Sequence, residues 1–275
     1  MAHSRALQRK GLTLIELVMV LIILTALAAL VVPIIDSIRR TSDKATASFV
    51  MEQLVENVGL YRTLTGVYGG GFDTCLDETG LAAAANLSSK VESKCDIMQL
   101  TGNEGDKLDD LIPTVMLHDP AGPIYRNWPG NSGNTRVACG GSGGQSSFWT
   151  ITDAMMIESI YPGATTNAAG TFPNVAEAGL GAGQIALGSG PGGLKTARLI
   201  ILGVGPSYDG VGKTLVTAPG YLGIDGTKYY NRFYCIFACY DGFTVDKRPQ
   251  LKGALDSTMD FLNQEIIEVL ENSME

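Results

Sequence analysis

The stretch "LTLIELVMVLIILTALAALVVPIIDSI", Leu12 to Ile38, constrains this chain more than any other. Within it only Glu16, Asp36 and a few hydroxyls resist burial in lipid, so the run is long and apolar enough to cross a bilayer as a helix. Basic residues flank both ends, with Arg5, Arg9 and Lys10 before and Arg39, Arg40 and Lys44 after. The excess of positive charge therefore does not set an orientation. Glu16 is the puzzle, because an ionisable side chain in an intramembrane segment is costly and reads as functional by default. A cleaved secretory signal ending at Ala26–Ala28 is opposed by a carboxylate so early in its apolar core, and the run continues past that point. An uncut signal-anchor tethering a binding module is compatible with the run but gives Glu16 no task.

Composition narrows the functional classes. The formal net charge is −8, and a leader ending at Gly11 would remove the three positive charges of Arg5, Arg9 and Lys10, leaving −11 (−8 less three). A chain so acidic is a poor non-specific binder of phosphate backbones, and no nucleic-acid partner is expected. Histidine occurs only as His3 and His118. A Ser-His-Asp triad, a Cys-His pair or a histidine metal site would thus rest on His118, which reads better as a satisfied loop or core residue. No carboxylate pair, nucleophile–base set or metal cluster stands out, so no catalytic residue is assigned and a secreted enzyme lacks a site.

The motif that explains Glu16 is "KGLTLIEL" followed by an apolar helix and Pro33. It resembles the amino-terminal signature of type IV prepilins and type II secretion pseudopilins, over about the first fifth of the chain. That pattern is a short basic leader ending in glycine, a hydrophobic residue, threonine, two apolar residues and a glutamate. The resemblance implies cleavage by a prepilin peptidase between Gly11 and Leu12, N-methylation of Leu12, and assembly with other subunits through the helix. Glu16 then stands at the fifth position of the mature chain, and Pro33 where many members kink. Leu12 departs from the commoner phenylalanine or methionine, and the C-terminal region is longer than in typical major subunits. Physics agrees with the motif: glycine leaves the backbone open to a protease. A freed α-amino group at the head of one apolar helix is also a natural partner for the Glu16 carboxylate of another.

The implied location is the bacterial inner membrane, single-pass, with the remainder in the periplasm or outside the cell. The expected organisation is a leader (1–11), an assembly helix (12–38), its amphipathic continuation (39–66) and a globular region (67–275). The continuation rests on Val50, Leu54, Val58, Tyr61 and Leu64 at helical spacing, with Gly66 as the stop. One helix from Leu12 to Thr65 would be roughly 80 Å long, kinked near Pro33. The fold class expected is α+β and pilin-like: a spine helix packed on an antiparallel sheet, with long loops and a C-terminal helix.

Farther along, Asn86–Leu111 suggests a helix or two and "FWTITDAMMIESIY" (148–161) a strand then a short helix. Residues 129–147 and 163–193 read as glycine-rich loops. "LKTARLIILGVG", "GKTLVTAPG", "TKYYNRFYCIFACYDG" and "FTVDK" read as strands. Asp-Gly recurs at 209, 225 and 241, an interval that suits an antiparallel meander. The apolar stripe Leu255, Met259, Leu262, Ile266, Val269 and Leu270 predicts a helix over about 251–272.

Two further features carry chemistry. For an exported chain the five cysteines imply disulfides, first Cys75–Cys95 and then Cys139 with Cys235 or Cys239; in a reducing compartment they would be buried small hydrophobes. "SYDGVGKT" (207–214) falls short of a phosphate-binding loop, having Ser207 where glycine is needed and no helix after it. Pseudopilins often carry a similar Asp-Gly loop that in some binds calcium, so Asp209, with Asp225 folding back, is a weak calcium candidate beside the simpler reading as a turn. No other cofactor is expected.

Overall fold

The structure is a computed structural model that describes residues 14–84, 87–100, 107–118, 134–140, 144–162, 183–190, 193–226, 228–241 and 248–261. The chain forms two compact units, Met1–Asp43 and Lys44–Glu275.

Helix α1 runs from Leu14 to Thr65 without interruption at position 33. In the first unit its described side chains are mostly exposed and apolar. In the second unit Ala47, Met51, Leu54, Val58 and Tyr61 are buried. Their three- and four-residue spacing places them on one helical stripe; of the expected positions Leu54, Val58 and Tyr61 lie on it, Val50 is partly buried and Leu64 is exposed. Gly66 ends the helix with φ +85° while its N–H donates to the Arg62 carbonyl at 2.7 Å. A residue in this left-handed conformation closes a helix most readily when it lacks a Cβ.

The rest of the second unit is built on a nine-stranded sheet among the described residues. Its elements are β1 (Phe72–Asp77), α2 (Ser89–Lys94), β2 (Cys95–Gln99), β3 (Thr114–His118), β4 (Thr135–Ala138), β5 (Ser147–Ile151), α3 (Ala154–Ile160), β6 (Gln184–Gly190), β7 (Gly193–Gly203), β8 (Tyr234–Asp241) and β9 (Gln250–Leu255). The order is β2-β5-β7-β1-β3-β4, with β6 and β8 also on β7 and β9 outside β8. Strand β7 is the trunk. Along one edge it meets β8 from Thr196 to Gly203, and it also pairs in succession with β6, with β5 at Ile200 and with β1 at Gly203.

The mixed helix-and-strand class is as expected, but the sheet is not purely antiparallel. Strands β1 and β3 are parallel, and the crossover that parallel pairing requires carries α2 and β2. Both faces of the sheet are also buried. Alternate residues of β8 divide between two cores: Cys235, Phe237 and Cys239 join α1 on one side, while Tyr234, Ile236, Ala238 and Tyr240 join α2 and α3 on the other. A strand covered on both faces has no polar side, which is why "YCIFACY" is continuously apolar or aromatic.

Several expectations are corrected. Residues 251–255 belong to β9, and the chain then turns. The Asp256 carboxylate accepts from the Thr258 and Asp260 amides at 2.8 and 3.0 Å, and Met259 has φ +67°, which an α-helix cannot accommodate. Leu255 and Met259 are nonetheless both fully buried, so at these two positions the apolar pattern marks burial and its period misleads. Residues 262–272 of the expected helix lie outside the described residues, as does "FTVDK" (243–247). "GKTLVTAPG" is not a strand: the Lys213, Thr214 and Leu215 amides all donate to the Gly210 carbonyl, a stack of tight turns. The turns at 209 and 225 therefore lie within one long connection between neighbouring β7 and β8, while β6, β7, β8 and β9 do pair antiparallel in succession. The supposed loop 129–147 contains β4, which pairs with β3 from Thr135 to Ala138. The second, 163–193, contains β6, and its residues 163–182 lie outside the described set.

Candidate functional site

The strongest sequence candidate is the head of α1. Leu14–Val32 is 19 residues long with mean hydropathy 2.9, and none of it is buried. At about 1.5 Å per residue it spans roughly 28 Å, close to a hydrocarbon core. Its backbone is satisfied within the helix, and the Thr25 hydroxyl donates to the Ile22 carbonyl at 2.9 Å, so this hydroxyl demands no water. Glu16 lies exposed in the first turn, where a carboxylate complements the positive helix end. Gly11 and Leu12 lie outside the described residues, and Pro33 is within α1.

The Asp209 carboxylate joins distant parts of the fold. One oxygen of its carboxylate accepts from Arg136 at 2.6 Å, and the other from the Gly70 amide at 2.8 Å. Arg136 Nε also donates to Thr114 Oγ1 at 2.7 Å, and the Asp209 amide to the Gly70 carbonyl at 2.9 Å. Residues that leave α1 are thereby tied to β3, β4 and the β7–β8 connection. Glycine is required at 70 and 71, because a Cβ at Gly70 would strike Thr114 Oγ1 and one at Gly71 the Ser207 carbonyl. Tyr208 completes the seam by donating to the Tyr68 carbonyl at 2.8 Å. Asp225 pairs with Lys228 at 3.4 Å on the surface. Among the described residues no three acidic, histidine or cysteine side chains gather as a metal-ligand set.

All five cysteines are free and buried, which corrects the expected pairings Cys75–Cys95 and Cys139 with Cys235 or Cys239. They divide by face: Cys75 and Cys95 join one core, Cys139, Cys235 and Cys239 the other. Burial pushes the thiols of Cys75, Cys95, Cys139 and Cys235 well up from their ordinary range, so they behave as small hydrophobes and not as nucleophiles.

His118 is a core residue at the end of β3, about 1% exposed. Its Nε2 lies 3.9 Å from the carboxylate of fully buried Asp73 in β1. Asp73 Oδ2 accepts from the Tyr230 hydroxyl at 2.9 Å. Neither sequence position signals this cluster. It exists because β1 bulges between Asp73 and Asp77, with Cys75 at φ +57°, and because Gly203 leaves room for the Tyr230 hydroxyl. Burial holds the His118 imidazole down at about 4, so it is neutral at pH 7.

Comparison of the chain with protein-family models, with curated proteins and with solved structures gives no match.

Proposed function

We propose that this chain is a structural subunit of a type IV pilus or type II secretion pseudopilus. It is held in the inner membrane by Leu14–Val32, cleaved after Gly11 and assembled with other pilin-like subunits through α1. The observation that carries this reading is the conjunction of "KGLTLIEL" with a helix whose first part is apolar all round and whose later part buries a single stripe. A plain anchor requires only the length. A glutamate five residues after the glycine that ends a basic leader is required only if cleavage creates an ammonium for it to meet. In this role the protein performs no chemistry of its own: the peptidase cuts it, the Glu16 carboxylate sets the axial register against the next subunit's α-amino group, and the globular unit forms the surface.

Mass spectrometry of the mature N-terminus tests the proposal. A chain beginning at N-methylated Leu12 supports it. An intact N-terminus supports an uncut anchored module, and a chain beginning near Ala29 supports a conventional secreted protein.

A further inference from the structure

We propose that the cleft where α1 ends is an oxyanion-binding site, in which Arg62 and the Tyr68 hydroxyl hold a carboxylate or a phosphate. The cleft has a volume of about 470 Å³, and its walls include Gly59, Arg62 and Thr63 of α1, Gly66 and Tyr68 just beyond it, and Leu251 of β9. Tyr68 is only 2% exposed, and its phenol oxygen accepts from two groups, Arg62 Nη1 at 2.6 Å and the Leu251 amide at 3.0 Å. Neither a guanidinium nor an amide N–H can accept in return. Both lone pairs of that oxygen are thereby occupied, and its own proton has no acceptor among the described residues. Arg62 shares the deficit. Its guanidinium lies 4.7 Å over the Tyr68 ring, and among the described residues no carboxylate pairs with it.

A basic residue in the last turn of a helix ordinarily answers the negative helix end. Here that end already has donors: the Arg62 carbonyl accepts from the Gly66 amide at 2.7 Å, and the Tyr61 carbonyl from the Thr65 hydroxyl at 2.8 Å. Gly59 is a second, independent sign of a site. Glycine inside a helix is destabilising relative to alanine, yet nothing stands within 4 Å of the place a Cβ would take at 59. Packing gives no reason for this glycine, whereas the cleft gains open space from it. The donor set then selects the ligand. A cation beside a buried O–H donor matches an oxyanion, which accepts from both through charge-assisted bonds. A cationic or purely apolar ligand would leave the Tyr68 proton unmet. Thr63 donates to the Gly59 carbonyl at 2.9 Å and so adds no competing donor. Glu56, one turn earlier on α1, accepts from Gln53 at 3.5 Å. The oxyanion has two possible sources, a small acid in solution and an acidic side chain of a second copy.

The site involves neither leader cleavage nor the apolar head of α1, so its test is separate from that of the proposed function. Nuclear magnetic resonance of the full chain in an uncharged detergent can follow the Arg62 Nε–H and the Leu251 amide. Sodium acetate and inorganic phosphate are titrated in turn, with chloride holding the ionic strength constant. Both resonances should shift saturably with at least one of the two anions. Arg62→Gln should abolish the saturable shift of Leu251, and Tyr68→Phe, which keeps the ring and removes the O–H, should weaken binding about tenfold. A second copy as the source gives the same saturable shift on raising the protein concentration without added anion, again lost in Arg62→Gln. No shift in either series, a shift no different from that in chloride alone, or a saturable Leu251 shift that persists in Arg62→Gln overturns the proposal and leaves water as the acceptor for Tyr68. The wild-type titrations decide the matter even if a variant fails to fold.

Discussion

Glu16 and His118 are both ionisable groups in settings that disfavour charge, and they resolve the difficulty in opposite ways. Glu16 is exposed in the first helical turn and, on the proposed function, meets the next subunit's α-amino group on assembly. Replacing Glu16 with alanine is expected to leave cleavage after Gly11 intact and to prevent incorporation into filaments. N-terminal mass spectrometry and immunoblotting of sheared filaments read the two steps separately, and normal incorporation would remove the role given to this residue. His118 resolves the difficulty by staying neutral. Its pKa is lowered from 6.5 to about 4 by burial, so folding favours the unprotonated form. Its contribution is fully present above the unfolded value near 6.5 and is lost as pH falls toward 4. The expected loss approaches about 3 kcal/mol, visible as a falling denaturation midpoint across that window and absent in His118→Gln. Sequence reading placed His118 in a core or loop, but the Asp73 and Tyr230 neighbours are 45 residues before and 112 after it in the chain and have no shared motif.

Elements were legible where periodicity and termination agreed. Helix α1 had both, an apolar stripe and a glycine stop, and the stripe is load-carrying only on its buried side. Leu54→Ala should cost about 2–5 kcal/mol in a urea melt of the folded unit, whereas Leu60→Ala, on the half-exposed side, should stay within about 0.5 kcal/mol. Equal effects would mean that the stripe is not the packing face. Strands β7 and β8 were legible for the same reason. Residues 251–259 were not, because Leu251, Leu255 and Met259 fit a helical spacing as well as an extended edge. The open side of β8 decided the matter by offering backbone partners from Tyr234 to Ala238. The Asp209 loop is intermediate. Its turn was read from Asp-Gly, but its ties to Arg136 and Gly70 bridge distant parts of the chain. Asp209→Ala leaves both donors without this acceptor and is expected to lower stability by about 1–2 kcal/mol, the ion pair itself adding little because it is partly exposed.

At the scale of the whole molecule, the cysteines separate two accounts of stability. Disulfides would have tied loops together, whereas five buried free thiols fill two cores. A reductant is therefore expected to leave the melting temperature unchanged, and a thiol reagent to label the chain only after unfolding; a reductant-dependent fall would reinstate a disulfide. What the sequence by itself determined is local: an apolar segment of membrane length, an amphipathic helix and the glycine that ends it. Each of these follows from residues within one or two helical turns of one another. Only the tertiary structure decided that the sheet is mixed, that it is covered on both faces, and that Asp73, His118 and Tyr230 meet. Those outcomes depend on which strand edges find each other across long stretches of chain, and a strand's own residues state how deeply it is buried but not beside which partner.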